Sequence, residues 1–463
     1  MVQVRVVSYN LLSSSLARSD HFTTYPPAHL LAENRLPLIL EKLEYQRTKA
    51  ISGGGSSNSP KTIFCLQEIS REWAGELHTY FANNGYQFVT GLYGRYFNGY
   101  MGVGIAYPMN DYETIAVDIK RVSDTKPCLE DAEEESEGQE ESKKCNSYWP
   151  KSKPKSKDDN GKGPSLLGKL LNVPKTIVSS ILTPLLNNIP LLPRSTTKTA
   201  DSSKDTDPWD YSQYRQNILV SVCLKPKEAT PSSPFWVHCY HMPCAFWSAA
   251  VMTMHVEMVL NYVQNILPFS TQKKGDDATN NNKQRIPFIL TGDWNIKPQD
   301  TIYERMISGK PLNVDDLGIP PSTTTYETST TTVTTGNDVG GEPITETIVT
   351  TTPKTMEWIL KDTTFAPMTS AYRQMSVDGK TEPEFTNWAR VKDDDPFIDT
   401  LDYIFLSHNK KHEGTGSTTS CDWKIMSVEE LRTKENGNGP YPNLDPTVNE
   451  PSDHVLISAD LEL

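Results

Sequence analysis

Ile286-Pro-Phe-Ile-Leu-Thr-Gly-Asp-Trp-Asn295 is an apolar run that stops abruptly at a glycine, a carboxylate and, two residues on, an amide. A short apolar run bounded in this way reads as a buried strand. Side chains alternate along extended chain, so Asp293 and Asn295 are expected on the same side, and Gly292 is expected to let the backbone bend close to a ligand. A carboxylate paired with an amide suits a site that holds a water beside a phosphate oxygen. Taken alone, the stretch also reads as a strand ending in an ordinary Asx turn.

The same grammar recurs. Val4-Arg-Val-Val-Ser-Tyr-Asn10, Thr62-Ile-Phe-Cys-Leu-Gln-Glu68 and Phe235-Trp-Val-His-Cys-Tyr-His241 are β runs ending in a polar residue. Leu401-Asp402-Tyr-Ile-Phe-Leu and Pro451-Ser-Asp453-His454-Val-Leu-Ile carry their polar residues at the start. Strand ends converging on one cleft explain this repetition better than chance.

At 463 residues the chain has room for two or three average domains, but one α/β domain carrying insertions fits as well. Hydrophobic content is 36%, low for a compact fold, yet the deficit sits in two polar tracts and leaves enough apolar sequence for a large core. A net charge of -13 argues against a coat protein held on nucleic acid by phosphate neutralisation. It does not exclude a phosphate-cleaving enzyme, because carboxylates that hold a divalent cation invert the local field. The seven cysteines include no C-x-x-C pair and suit neither a disulfide scaffold nor a zinc ribbon; Cys65, Cys223 and Cys239 read as small core residues. The sequence opens on a strand, without a charged start and apolar leader, and no apolar run approaches the ~18 residues of a membrane span. The expectation is a soluble, intracellular, cytoplasmic protein.

In chain order, Arg35, Leu36, Ile39, Leu40 and Leu43 have helical spacing, as do Trp73, Leu77 and Phe81, and Met252, Val256, Val259 and Val263. Tyr86–Thr90 and Gly102–Tyr107 read as an antiparallel pair. The β-helix-β rhythm mixed with hairpins predicts an α/β fold with mixed sheets. From 124 to 210 the core pattern gives way to an acidic block, Glu130–Glu141, and a lysine-rich block, Lys143–Lys162, which read as a disordered surface insertion. Within it, 165–192 is apolar but broken by prolines, and reads as a short helix on the domain's own surface or as a membrane contact. A threonine-rich tract at 316–356 reads as a long β-hairpin in preference to mucin-like disorder, since β-branched runs flank Gly336-Asn-Asp-Val-Gly-Gly341.

Taken together, Ser8-Tyr9-Asn10, Leu66-Gln67-Glu68, His241, Gly292-Asp293-Trp294-Asn295, Leu401-Asp402-Tyr403 and Ser452-Asp453-His454 resemble the motif set of the endonuclease/exonuclease/phosphatase superfamily, the DNase I-like fold. The resemblance spans residues 1–123 and 211–463. It implies one domain over 1–463, a four-layer α/β sandwich of two packed mixed β-sheets flanked by helices, and a Mg²⁺-dependent phosphoester hydrolase in which Mn²⁺ can substitute. Tyr25-Pro-Pro-Ala-His-Leu-Leu-Ala-Glu-Asn-Arg35, Arg215-Gln-Asn217, Thr369-Ser-Ala-Tyr372, Glu384-Phe-Thr-Asn387 and Phe397 are similar to segments of the carbon-catabolite-repression-type deadenylases, with nocturnin and the 2′,5′-phosphodiesterase as relatives. Cys239-Tyr240 departs from the Asn-Thr usual there, and the Trp-Cys-Asp-Arg signature of the inositol polyphosphate 5-phosphatases is absent. The implied substrate is RNA or another nucleotide phosphodiester, cleaved by a 3′-to-5′ exoribonuclease or a related enzyme. A sphingomyelinase-like headgroup phosphodiesterase on the same scaffold is the alternative, with 165–192 touching the membrane.

The chemistry assigns the residues as follows. A hard cation prefers carboxylate oxygen, so Glu68 is the expected Mg²⁺ ligand, with Asn10 and Asp453 completing or supporting the shell. Asp293, beside Asn295, is expected to position and deprotonate the attacking water, while His241 and His454 stabilise charge building on the phosphate. Asp402 is expected to fix the tautomer of His454. By resemblance, Phe397 stacks on the scissile base with Pro243 as an apolar opposite wall, and Asn217 contacts substrate.

Overall fold

The computed structural model describes residues 2–49, 61–125, 208–227, 233–267, 285–312, 325–337, 343–354, 365–392, 394–413 and 416–463. Alternation along the strands builds its layers. In β1 (Gln3–Asn10), Val4 and Val6 face one way and Val7 and Tyr9 the other; in β2 (Thr62–Ile69), Ile63 and Cys65 oppose Phe64 and Leu66. These strands are apolar on both faces because both faces are covered.

One six-stranded sheet runs β17 (Lys424–Val428), β18 (Ile457–Glu462), β1, β2, β4 (Gly102–Pro108), β3 (Tyr86–Leu92). The other runs β11 (Thr369–Ser370), β14 (Asp402–Leu406), β8 (Phe288–Asp293), β7 (Phe235–His241), β6 (Ile218–Pro226), β5 (Tyr112–Arg121). Val4, Val6, Ile63, Cys65 and Ile105 of the first sheet meet Val220, Val222, Val237, Cys239 and Ile289 of the second in a shared core. Helices Ala32–Thr48 and Arg71–Asn83 cover the first sheet's outer face through Leu36, Ile39, Leu43, Trp73, Leu77 and Phe81. Helix Ala249–Asn261 covers the second through Met252, Val256 and Val259. The order helix, sheet, sheet, helix is the four-layer α/β sandwich, and Cys65, Cys223 and Cys239 are buried in it.

Strand direction places the polar residues together. β1 and β2 are parallel, and so are β7 and β8, whose last residues His241 and Asp293 lie in register. β14 is antiparallel to β8, so its first residue, Asp402, lies opposite Asp293. β18 is antiparallel to β1, so Asp453 and His454, just before it, arrive beside Asn10. Polar residues at the ends of some runs and the starts of others therefore reach one edge of the sandwich.

Thr325–Asn337 (β9) and Pro343–Lys354 (β10) pair antiparallel within the threonine-rich tract. Two more ribbons, Asn387–Ala389 with Phe397–Asp399 (β12, β13) and His408–Glu413 with Gly416–Cys421 (β15, β16), leave the second sheet's end. Residues 126–207, and with them the proposed membrane segment 165–192, lie outside the described residues. Among the described residues no helix is long and apolar enough to cross a membrane.

Candidate active site

Two backbone features aim the site. Gly292 has φ +144°, and a Cβ added there would lie 1.8 Å from the carbonyl oxygen of Tyr240 on β7. The glycine is thus required by a neighbouring strand, not by a ligand as the sequence reading had it. Glu68 has φ +55°, and the pairing of β2 with β4 slips between Leu66 and Ile69. This bulge turns Glu68 out of the flat strand and into the cavity, a placement that costs backbone strain of the kind concentrated at functional sites.

The cavity has a volume of about 910 Å³ and is lined by Glu68, His241, Pro243, Asp293, Asn295, Phe397, Asp453, His454 and Asn217, among others. Asn10 lies beneath it and joins the two sheets. Its Nδ2 donates to Asp293 Oδ2 at 2.9 Å and to Glu68 Oε1 at 3.3 Å, and its Oδ1 accepts from the Leu12 backbone N–H at 2.9 Å. Asn10 is therefore a bridge between two carboxylates. The other oxygen of Glu68 accepts from the Ser13 N–H at 2.8 Å.

Asp293 is buried, with one donor on each oxygen: Asn10 on Oδ2, and the Asn295 backbone N–H on Oδ1 at 2.9 Å. Burial pushes its carboxyl up to about 6, opposed by the charge of His454 and reinforced by that of Asp402. The expected same-side projection of Asn295 has a different cause from alternation. β8 stops at Asp293, Asn295 takes a left-handed backbone at φ +50°, and its Nδ2 donates to the Met242 carbonyl at 3.0 Å.

Asp402 and His454 form a pair, Oδ2 to Nδ1, at 2.7 Å, and Thr386 Oγ1 donates to the same Asp402 oxygen at 2.7 Å. Asp402 Oδ1 is buried without a hydrogen-bond partner. His454 Nε2 faces Asp293 Oδ2 at 3.6 Å. Burial opposes protonation of His454, but the charges of Asp402, Asp293 and Asp453 outweigh it and hold the imidazole's pKa well above its ordinary value. Those charges favour the imidazolium form of His454. Burial raises the Asp453 carboxyl, and repulsion from Glu68 adds to the effect.

His241 Nε2 lies 3.6 Å from Asp293 Oδ2 and 3.9 Å from Glu68 Oε1. Its Nδ1 meets the Tyr93 hydroxyl at 3.0 Å, a contact absent from the sequence reading. Tyr93 follows the last residue of β3, so the strand-end grammar that found the other residues also marks this one. Asn217 Nδ2 donates to the His241 carbonyl at 2.8 Å and to the Tyr93 oxygen at 3.4 Å, so its amide supports the histidine even as it lines the cavity. Arg35 is the other residue the reading left without a role. It is buried, and donates from Nε to the Pro451 carbonyl and from Nη2 to the carbonyls of Leu11 and Leu12, each at 2.6 Å. One cation thereby ties the segment after Asn10 to the segment before Asp453.

The donor set fits a hard divalent cation. Glu68, Asp293 and Asp453 offer carboxylate oxygens to one cavity, and the repulsion between Glu68 and Asp453 is of the kind a cation relieves. Among the described residues, Asp293, Asp402 and His454 also bring ligating atoms within 4.8 Å of one another. There, Asp402 Oδ2 and His454 Nδ1 already pair with each other.

No protein-family model matches the chain. Human nocturnin is 33% identical over 93 residues, a stretch that is 20% of this chain and only 18% of that protein. The crystal structure of ANGEL2, a 2′,3′-cyclic phosphatase, in complex with adenosine-2′,3′-vanadate superposes with a TM-score of 0.54 at 16% identity, covering 99% of this chain and 95% of that one. The chain has the endonuclease/exonuclease/phosphatase, DNase I-like fold. The human nocturnin catalytic domain with bound sulfate gives a TM-score of 0.47 at 16% identity over 99% of this chain and 94% of that one. In the DNase I-like fold as this chain builds it, the cavity lies where both parallel strand pairs end.

Proposed function

We propose that the chain is a metal-dependent phosphodiesterase acting on nucleic acid or nucleotides, in first place a 3′-to-5′ exoribonuclease of the deadenylase type. The observation that carries this reading is the convergence of Glu68, Asp293, His241 and the Asp402–His454 pair on one cavity walled by Phe397, Pro243 and other apolar side chains. Asp293, gripped on both oxygens and raised to about 6, is poised to orient and deprotonate a water near neutral pH. The His454 imidazolium, held by Asp402, and His241, held by Tyr93, supply donors for the charge that builds on the phosphoryl oxygens. Glu68, with Asp453 and Asn10 in support, would hold Mg²⁺, which supplies charge neutralisation on the phosphate when bound.

The test is hydrolysis by purified protein of poly(A), mixed-sequence RNA, 2′,5′-oligoadenylate, RNA ending in a 2′,3′-cyclic phosphate, and sphingomyelin, each with Mg²⁺ and with EDTA. Cleavage of RNA from its 3′ end, lost in EDTA and lost by at least about a hundredfold in Asp293→Ala, supports the reading. Cleavage of sphingomyelin alone replaces it with a lipid headgroup activity, and full activity in a folded Asp293→Ala variant removes the mechanism.

A further inference from the structure

The loop that leaves His241 does more than close the site. Five and six residues on it carries Phe246 and Trp247, which are 51% and 69% exposed, a costly place for two large rings to meet water. Both line the cavity. Phe246 lies against Phe397, with ring centroids 6.2 Å apart and planes at 37°. Trp247 meets Tyr211 edge-on at 6.1 Å. The Arg215 guanidinium sits over Tyr211 at 4.4 Å and over Trp247 at 5.7 Å, with Nη2 donating to the Tyr211 hydroxyl at 2.7 Å. Among the described residues no carboxylate pairs with Arg215. Lys297 Nζ lies over the Phe397 ring at 5.7 Å and 3.9 Å from Asp399.

Phe397 with Phe246, and Trp247 with Tyr211, thus form two aromatic pairs along the catalytic cavity, joined through the Phe246–Trp247 peptide, and the second pair carries a cation that meets no carboxylate among the described residues. Single-stranded nucleic acid is recognised by this combination: every base has a π face to stack, and a fixed guanidinium matches the phosphate between bases. A small nucleotide that fills only the catalytic end has no use for exposed rings beyond Phe397. Resting on the phosphodiesterase reading above, we infer that Phe246, Trp247 and Arg215 form a second subsite for nucleotides beyond the scissile one, and that the substrate is a single-stranded polynucleotide instead of a dinucleotide.

The experiment uses the full chain, Phe246→Ala and Trp247→Ala, with thermal melts to confirm folding. It measures binding of a fluorescein-labelled 12-nucleotide RNA by anisotropy in EDTA, and kcat/KM with Mg²⁺ on that RNA and on a dinucleotide. Each variant should weaken RNA binding about five- to a hundredfold, and should lower the ratio of 12-mer to dinucleotide kcat/KM by a similar factor. Equal binding and an equal ratio in folded variants overturn the subsite while leaving the phosphodiesterase reading intact. Ring-dependent binding with no cleavage of either substrate keeps the subsite and removes the phosphodiesterase reading. Absence of both binding and cleavage removes the two together.

Discussion

The Tyr93 hydroxyl lies 3.0 Å from His241 Nδ1 and accepts from Asn217 Nδ2 at 3.4 Å. With its oxygen occupied by the amide, the hydroxyl proton points at the imidazole, so Nδ1 is the acceptor and Nε2 carries the hydrogen toward Asp293 and Glu68. His454 is supported the other way, since Asp402 accepts from its Nδ1–H. The two histidines are therefore oriented differently by their supports. Tyr93→Phe should lower kcat about tenfold with KM little changed, the cost of one hydrogen bond of roughly 1.4 kcal/mol. Ring ¹⁵N shifts should show His241 moving toward a mixture of tautomers. An unmoved His241 spectrum would remove Tyr93 from this role.

Glu68→Gln keeps the shape of the bulged residue and removes its charge. Ser13 N–H donates to one Glu68 oxygen at 2.8 Å and Asn10 Nδ2 to the other at 3.3 Å, so the variant's amide oxygen keeps the shorter bond to Ser13 and only the longer contact to Asn10 is lost. The variant should fold normally but require much more Mg²⁺ for half-maximal activity, with partial rescue by Mn²⁺. A Mg²⁺ titration superimposable on that of the parent would take Glu68 out of the metal's reach.

Asp402→Asn tests the other support. The carboxylate oxygen that receives His454 Nδ1 also receives Thr386 Oγ1, so the variant's amide oxygen takes that place and its nitrogen takes the place of Oδ1, which has no partner among the described residues. Loss of the imidazolium's counter-charge should cost on the order of a hundredfold or more in kcat, with the melting temperature retained to within a few degrees. A drop in stability without a comparable drop in kcat would make the pair a structural one.

Gly292→Ala should act on the fold and not on the chemistry. The added methyl would sit 1.8 Å from a backbone carbonyl of an inner strand, which has no flexible side chain to move aside, and φ +144° is strained for alanine. The expected outcome is failure to express as soluble protein, or a loss of several kcal/mol in chemical denaturation. A variant melting like the parent would show that β7 and β8 separate easily here.

How much of this was legible in the sequence depends on where a residue's partner lies. Asp293, Asp402, His241 and His454 were readable because each ends or begins an apolar run, and strand direction alone brings those ends together. The reasons attached to Gly292 and Asn295 were not readable. One depends on how closely β7 approaches β8, the other on a left-handed turn after the strand. Glu68 reads as the last residue of a flat strand, and only pairing with β4 reveals the bulge. Arg35 stood in plain view as a cation on the apolar stripe of a helix, but its three carbonyl partners come from loops at both ends of the chain. Spacing along one helix cannot supply contacts of that range.

His238 gives the fold a dependence on pH that is separable from the site. It lies in β7 on the face covered by helix Ala249–Asn261, fully buried, with Nδ1 2.8 Å from Ser221 Oγ, Nε2 without a partner among the described residues, and its ring stacked on Trp236 at 11°. Burial alone pushes its pKa from 6.5 down to about 3. Because the folded pKa is depressed, the folded state stays unprotonated between those values while the unfolded chain takes up a proton. The contribution to stability is therefore full above pH 6.5 and is lost as pH falls toward 3. From pH 8 to pH 5 the loss is about 2 kcal/mol for this one group. The raised carboxyl of Asp293 and the raised imidazole of His454 act with the opposite sign, so the parent's total pH profile does not isolate the effect. His238→Phe keeps a ring against Trp236 and removes the titration. Denaturant melts of parent and variant at pH 8 and pH 5 should show the parent losing about 2 kcal/mol more than the variant. A difference that stays constant with pH would mean that His238 is protonated inside the fold, with a counter-charge or water reaching its free Nε2.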